Sequence, residues 1–225
     1  MSDIPPKYTW SYSSLSLFSQ CPKKYYHLRV AKDHKEPETE ALYYGKRVHE
    51  AAEFYIRDGT PIPPEFEFIK DSLDQLAGLG DTRLCEYKMG LTRDLQPCDF
   101  FAPDVWWRGV ADLIVINGKK AYLVDYKTGK SSKYADTKQL EILSLAMFKH
   151  FPQLEKIKAG LLFLVAKDFV KVDYKHDAQG VPWVKWLTET KQLEAAYTND
   201  VWNAKPNFTC KNYCAVVSCP HNGRS

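Results

Sequence analysis

The 225-residue chain has no long hydrophobic run, no internal repeat, no low-complexity tract and no large excess of charge. Its longest apolar stretch, residues 159–166 with Gly160 inside it, falls far short of the ~20 residues that cross a bilayer, so no membrane span or membrane partner is expected. The opening Met-Ser-Asp-Ile-Pro-Pro-Lys lacks the basic segment and apolar core of a secretory signal, which makes a reducing cytoplasm the expected compartment. A net charge of +3 excludes a wholesale polycation. Hydrophobic residues at 44% and charged residues at 26% exclude a disordered or fibrous chain. At this length roughly 70% of the unfolded surface can be buried, so folding needs no disulfides.

What is present is unevenly distributed. Residues 58–104 hold ten acids and four bases, a net of −6, so the remainder carries +9. Two basic stretches, Lys23 to Lys32 and Lys119 to Lys138, lie near Trp10, Tyr25, Tyr26, Trp106 and Trp107. Lysines with interleaved aromatics suit a phosphate backbone and stacked bases, although solvated surface is the plainer reading of any one of them. Six cysteines occur, and Cys210, Cys214 and Cys219 fall within ten residues of one another. In a reducing compartment such clustering points to metal ligation more than to disulfides.

The hydrophobic pattern predicts a helix capped by Ser13 and Ser14 with Phe18, Cys21, Tyr25 and Leu28 on one face. A charged linker, 32–40, leads to a second helix from about 41, and a third is expected over 65–77. Strands are expected over 84–90, 105–116 and 121–125, the last two joined through the Asn117-Gly118 hairpin signal. A helix over 135–150 and a buried strand over 159–165 follow, then an outer hairpin (169–174 and 181–187, around Gly180), a last helix over 189–202, and an irregular tail, 205–225. This order predicts an α/β core with appended helices.

Asp112 lies within the strand Arg-Gly-Val-Ala-Asp-Leu-Ile-Val-Ile, and Asp125 and Lys127 end the next. A tight hairpin makes the strands neighbours, and period-two alternation puts Asp125 and Lys127 on one face. Two carboxylates converging in an apolar sheet repel unless a cation lies between them. A hard divalent ion, Mg²⁺ or Mn²⁺, accepts such oxygens and can hold a phosphate, and an adjacent lysine can stabilise charge developing there. The plainer alternative is a buried Asp–Lys ion pair.

Gly-Val-Ala-Asp112 followed by Asp125-Tyr126-Lys127 resembles the active-site core of the PD-(D/E)XK nucleases. More narrowly it is similar to the RecB-like branch, which includes the AddB nuclease domain and the CRISPR-associated RecB-like iron–sulfur exonucleases. The opening Tyr12-Ser13-Ser14-Leu15-Ser16-Leu17-Phe18-Ser19-Gln20-Cys21-Pro22-Lys23-Lys24-Tyr25 resembles the start of that branch. Gly45-Lys46-Arg47-Val48-His49-Glu50 resembles its histidine motif, and Gln139-Leu140 its glutamine motif. The resemblance spans nearly the whole chain; the acidic stretch 58–82 has no counterpart in it.

The resemblance implies a restriction-endonuclease-like αβββαβ core with a central mixed sheet, in one domain spanning 1–225. His49, Asp112 and Asp125 would ligate the catalytic metal with help from the Tyr126 carbonyl. Lys127 would be the catalytic lysine, and Gln139 would position water on the metal or DNA. Glu53 and Glu86 are expected at the surface or in support of the ligands. Leu143 stands where many relatives have a tyrosine, so strand grip and cleavage polarity do not transfer. The resemblance also implies a [4Fe–4S] cluster held by Cys21, Cys210, Cys214 and Cys219, joining the tail 205–225 to the N-terminal helices 11–57. Structural Zn²⁺ is the rival, on the same cysteines or with His221 in place of Cys21. Cys85 and Cys98 are expected to be buried bystanders.

The expected activity is metal-dependent hydrolysis of phosphodiesters in DNA, exonucleolytic and with preference for single-stranded ends. Recombination or repair proteins would be partners, in a bacterial, archaeal or phage-infected cell. The alternatives are a structure- or sequence-specific endonuclease and a non-catalytic DNA-binding or assembly subunit.

Overall fold

A computed structural model of the chain describes residues 8–223; the opening heptapeptide lies outside them. The first helix, α1 (Tyr12–Gln20), is capped not by Ser13 or Ser14 but by Ser11, whose hydroxyl accepts from the Ser14 N–H while the Ser14 hydroxyl accepts from the Ser11 N–H. The single helix expected here is broken at Cys21. That residue precedes Pro22, which disfavours helical geometry, and it sits extended at φ −162°. The Cys21 sulfur then caps the short α2 (Pro22–Tyr25), and a π-helical turn, Tyr26–Val30, follows.

Helix α3 (Glu40–Asp58) is capped by Thr39 and ends at Gly59, whose φ of 69° is a left-handed geometry that glycine adopts without strain. A 3-10 turn, Pro64–Ile69, runs into α4 (Lys70–Ala77). The strands are β1 (Thr82–Leu91), β2 (Pro97–Cys98), β3 (Trp107–Asn117) and β4 (Lys120–Lys127). Helix α5 (Lys138–His150) then leads to β5 (Lys156–Phe163), β6 (Asp168–Lys175), a 3-10 turn and α6 (Gly180–Asn199).

The outer hairpin expected around Gly180 does not form, because residues 181–187 belong to α6. Its buried residues Trp183, Trp186, Thr190, Leu193 and Ala196 recur at intervals of three and four, a helical period, and Pro182 falls in the first turn, where a missing N–H breaks no helical bond.

The six strands form one mixed sheet in the order β2-β1-β3-β4-β5-β6. The β4–β5 pair is parallel and is connected through α5; the other strand pairs are antiparallel. The succession α3, β1, β3, β4, α5, β5 is the expected αβββαβ core. Asn117 pairs with Lys120, so Gly118, at φ 57°, sits in a two-residue hairpin loop.

Each sheet face is covered. One buried cluster joins Ala111, Ile114, Ala121 and Leu123 to α1, α5 and α6 through residues such as Leu15, Leu145, Met147 and Trp186. The other joins Leu113, Val115, Val124 and Tyr126 to α3, the 3-10 turn and α4 through Val48, Ala52, Ile69 and Leu73. The acidic stretch 58–82 therefore has a structural job. Its apolar residues Phe66, Ile69, Leu73 and Leu76 roof the sheet beside α3 while Asp71 and Asp74 stay at the surface.

Candidate active site

The hairpin register fixes the two central carboxylates. Pairing between β3 and β4 runs to Leu113↔Val124, which puts Asp112 across from Asp125 at the point where the ladder stops. There the Tyr126 N–H donates to Asp112 Oδ2 at 2.7 Å, so a side chain takes over from the ladder. Asp125 and Lys127 share a face as alternation requires, with Lys127 Nζ 2.5 Å from Asp125 Oδ2. On α5, Gln139 Oε1 accepts from Lys127 Nζ at 3.4 Å. From α3, His49 Nδ1 reaches to 3.5 Å from Asp112 Oδ2, and the ring stands edge-on to Tyr126. Gly45, one turn before His49, lets α3 approach the end of β4: a Cβ there would lie 3.3 Å from Thr128 Oγ1.

Glu86 is the member that sequence reasoning placed in a lesser role. Antiparallel pairing of β1 with β3 (Cys85↔Leu113, Tyr87↔Ala111) sets it opposite Asp112, but the pairing lapses at Glu86 itself, where φ is 48°. Left-handed backbone is uncommon for a glutamate and marks a constrained position. Its carboxylate, His49 and Asp112 offer ligand atoms that lie within 4.8 Å of one another. Asp125 is not part of that closest trio; it borders it through Lys127. Glu53 lines the same cleft, of about 590 Å³, but is engaged by Arg57.

The electrostatics are those of a site short of positive charge. Burial pushes the Asp112 pKa well above the ordinary carboxylate range, with Asp125 and Glu86 adding to the rise and Tyr126 and Lys127 opposing it. Burial raises Glu86 too, with Glu53 contributing. Burial lowers the His49 pKa against the pull of Asp125, which favours the neutral imidazole that can ligate. Asp125 Oδ2 is buried and, although ion-paired to Lys127, has no directed hydrogen-bond partner among the described residues. Carboxylate oxygens and a neutral imidazole whose ligand atoms converge within 4.8 Å fit a hard divalent cation. Leu143 lies in the core, its Cδ2 against Gly109, so it presents nothing to the cleft.

A second grouping lies at the other end of the chain. Cys21, Cys210, Cys214, Cys219 and His221 line one small cavity of about 20 Å³. Cys21 Sγ accepts from the Lys24 and Lys205 N–H groups at 3.5 and 3.4 Å, and Cys210 Sγ from Asn207 N–H at 3.3 Å. The Asn222 side chain donates to the Cys214 and Val216 carbonyls, shaping the loop that carries the thiols. All six cysteines are free thiols. Cys85 and Cys98 are half-buried instead of fully buried as expected; partial burial raises the Cys85 pKa to about 11 and raises Cys98 as well.

This core, with Asp-x-Lys at the end of β4 and a second aspartate facing it, defines a class of enzyme. The family model of the PD-(D/E)XK nuclease superfamily matches residues 9–83 and 80–220, and the chain belongs to that superfamily. It is therefore a nuclease by family, and nucleases of this superfamily act with divalent metals on nucleic acid. No curated protein matches the chain. A solved structure titled "Crystal structure of SSO0001" is similar at 15% identity and TM-score 0.43, covering 98% of this chain and 90% of that one. Among the described residues no helix is long and apolar enough to cross a membrane.

Proposed function

We propose that this nuclease is a Mg²⁺- or Mn²⁺-dependent deoxyribonuclease of the RecB-like kind, working from single-stranded DNA ends. The observation that carries the reading is the convergence of His49, Glu86 and Asp112, with ligand atoms within 4.8 Å of one another, on an Asp112 carboxyl that its surroundings disfavour as an anion. His49, Asp112, Asp125 and the Tyr126 carbonyl would hold the ion, and Glu86 joins them in this reading. When bound, such an ion supplies Lewis acidity toward the phosphodiester and lowers the pKa of water.

The chain's own residues do the rest. Asp125 and Gln139 hold the Lys127 ammonium at the cleft, where it can stabilise negative charge growing on the phosphate. Asp112 is oriented by the Tyr126 N–H, and His49 by its packing on the same residue. Preference for single strands is supported by Leu42 and Lys46 on the cleft wall and by the exposed Tyr43 and Tyr134, the latter under the Lys133 ammonium. Aromatic faces beside lysines suit unpaired bases and their phosphates.

The four-cysteine cavity supports a structural [4Fe–4S] cluster that joins the tail to the N-terminal helices within one domain, in a reducing cytoplasm. N–H groups aimed at Cys21 and Cys210 suit thiolates. Recombination or repair proteins are the natural partners of such an enzyme.

The test uses end-labelled linear single-stranded DNA and a closed single-stranded circle with Mn²⁺. Degradation of the linear strand with the circle intact supports the reading; cutting of the circle makes the protein an endonuclease, and no metal-stimulated cleavage overturns it. Anaerobically purified protein should be brown and bleach with dithionite. A colourless protein with stoichiometric zinc would reject the cluster.

A further inference from the structure

A third group of ligating side chains stands apart from both sites, where the π-helical turn passes into the linker before α3. His27 Nδ1 lies 3.0 Å from both carboxylate oxygens of Asp33, and His34 Nδ1 lies 2.9 Å from Asp33 Oδ1. All three ligand atoms are within 4.8 Å of one another. The imidazoles pack edge to face with centroids 5.0 Å apart. Each histidine side chain is only 16% exposed, whereas that of Asp33 is 50% exposed and opens the group to water.

The backbone is bent to bring these groups together. The π turn Tyr26–Val30 is followed by Lys32 at φ 56°, a left-handed geometry that costs a non-glycine residue about 1 kcal/mol or more, and it folds Asp33 and His34 back onto His27. On its far side, His34 Nε2 lies 3.4 Å from Ser218 Oγ in the tail.

We propose that His27, Asp33 and His34 form a binding site for a transition-metal ion of the Zn²⁺ type, with the remaining position open to water. Two imidazoles and a carboxylate are ligands of choice for such an ion. Bonds of 2.0–2.1 Å around a tetrahedral centre set ligand atoms about 3.3 Å apart. The imidazole–carboxylate separations of 2.9 and 3.0 Å therefore need to open by a few tenths of an ångström, and the two imidazole nitrogens, within 4.8 Å of each other, need to settle at about the same 3.3 Å. Each neutral ring carries its proton on Nε2 when Nδ1 ligates, and that of His34 then faces Ser218 Oγ, the outer hydrogen bond by which proteins orient a ligating histidine.

The ion would act as a clip. It would bind the π turn to the linker that leads into α3, the helix that carries His49. Through His34 and Ser218 it would also touch the tail one residue before Cys219. The Lys24–Glu36 ion pair, at 2.7 Å, is a second tether of the same linker.

The test compares Zn²⁺ uptake by the full-length chain with that of three variants, His27→Asn, His34→Asn and Asp33→Asn, by titration calorimetry and by metal content after dialysis. Zinc taken up at the cleft or by the cysteines is common to all four proteins and cancels in the comparison. The site predicts one more zinc per wild-type chain than in either histidine variant, and a Kd raised at least about tenfold by Asp33→Asn. Asp33 is half exposed, so its amide replacement leaves packing intact and keeps the test open even if a histidine variant misfolds. Equal stoichiometry and equal affinity in wild type and Asp33→Asn would overturn the proposal. No DNA enters the readout, so its outcome is independent of the nuclease reading.

Discussion

The cleft and the cysteine-bearing tail place their functional side chains by opposite means. In the cleft, Asp112 and Asp125 continue the Leu113↔Val124 pair, and the neighbouring residues of β3 and β4 are buried on both sheet faces. Hydrophobic burial and strand register hold the carboxylates together against their own repulsion. Trp202, just after α6, packs on Phe18, Tyr25, Tyr26 and Tyr197, but beyond it the tail runs mostly in turns in which Val216, Cys219 and Asn222 are buried, so little apolar surface pins that part to the body. There the ligands themselves would supply the order. A preformed, charge-strained site keeps its shape without metal, whereas a ligand-organised site does not.

The sharpest way to break this comparison is Asp112→Asn. The account predicts loss of metal-dependent cleavage by about 100-fold or more. It also predicts a gain in metal-free stability, because the amide removes a buried like-charge repulsion; a gain of about 1 kcal/mol would raise Tm by roughly 2–4 °C in a chain of this size. Thermal melts with and without Mn²⁺, run beside cleavage assays, check both signs. A variant that loses both activity and stability would show that the carboxylate serves the fold instead.

The tail should respond the other way. Cys214→Ser should leave the sheet intact but expose residues 204–223 to protease, with cleavage faster by about tenfold or more, as expected when local opening controls proteolysis. Limited proteolysis with mass spectrometry reads the sites cut. Unchanged protection would mean that the tail is held by packing, and the contrast with the cleft would fail.

Gly45→Ala probes the approach of α3 to β4. Alanine improves helix propensity by about 0.5–1 kcal/mol, which offsets the tight contact with Thr128, so stability should stay within about 0.5 kcal/mol. Cleavage should still fall several-fold as His49 is pushed from its neighbours, measured as kcat at saturating DNA. The smallest effect is expected from Lys46→Ala on the cleft wall: uniformly weaker binding of single strands, with a salt slope shallower by about 0.7.

What could be read in advance follows the same division. The Asn117-Gly118 turn fixes a register, so the meeting of Asp112, Asp125 and Lys127 was legible from local sequence, as were α3 and α5 from their apolar period. Glu86 was not, because β1 and β3 are joined by a long connection that leaves register open, and a left-handed glutamate has no sequence signature. Residues 181–187 misled because Val181, Val184 and Leu187 are apolar yet exposed on α6, which imitates a strand. The break at Cys21 was signalled by Pro22 and outweighed by the periodic apolar face. The gathering of the four cysteines depends on the course of the whole chain, and only a resemblance to other proteins pointed to it.

The most direct test of the central claim is single-turnover cleavage of end-labelled single-stranded DNA by wild type and Lys127→Met in saturating Mn²⁺, with circular dichroism confirming equal folding. The account predicts that the wild type degrades the strand and that the variant, which keeps the carboxylates but not the ammonium, is slower by about 100-fold or more. Equal rates would contradict it.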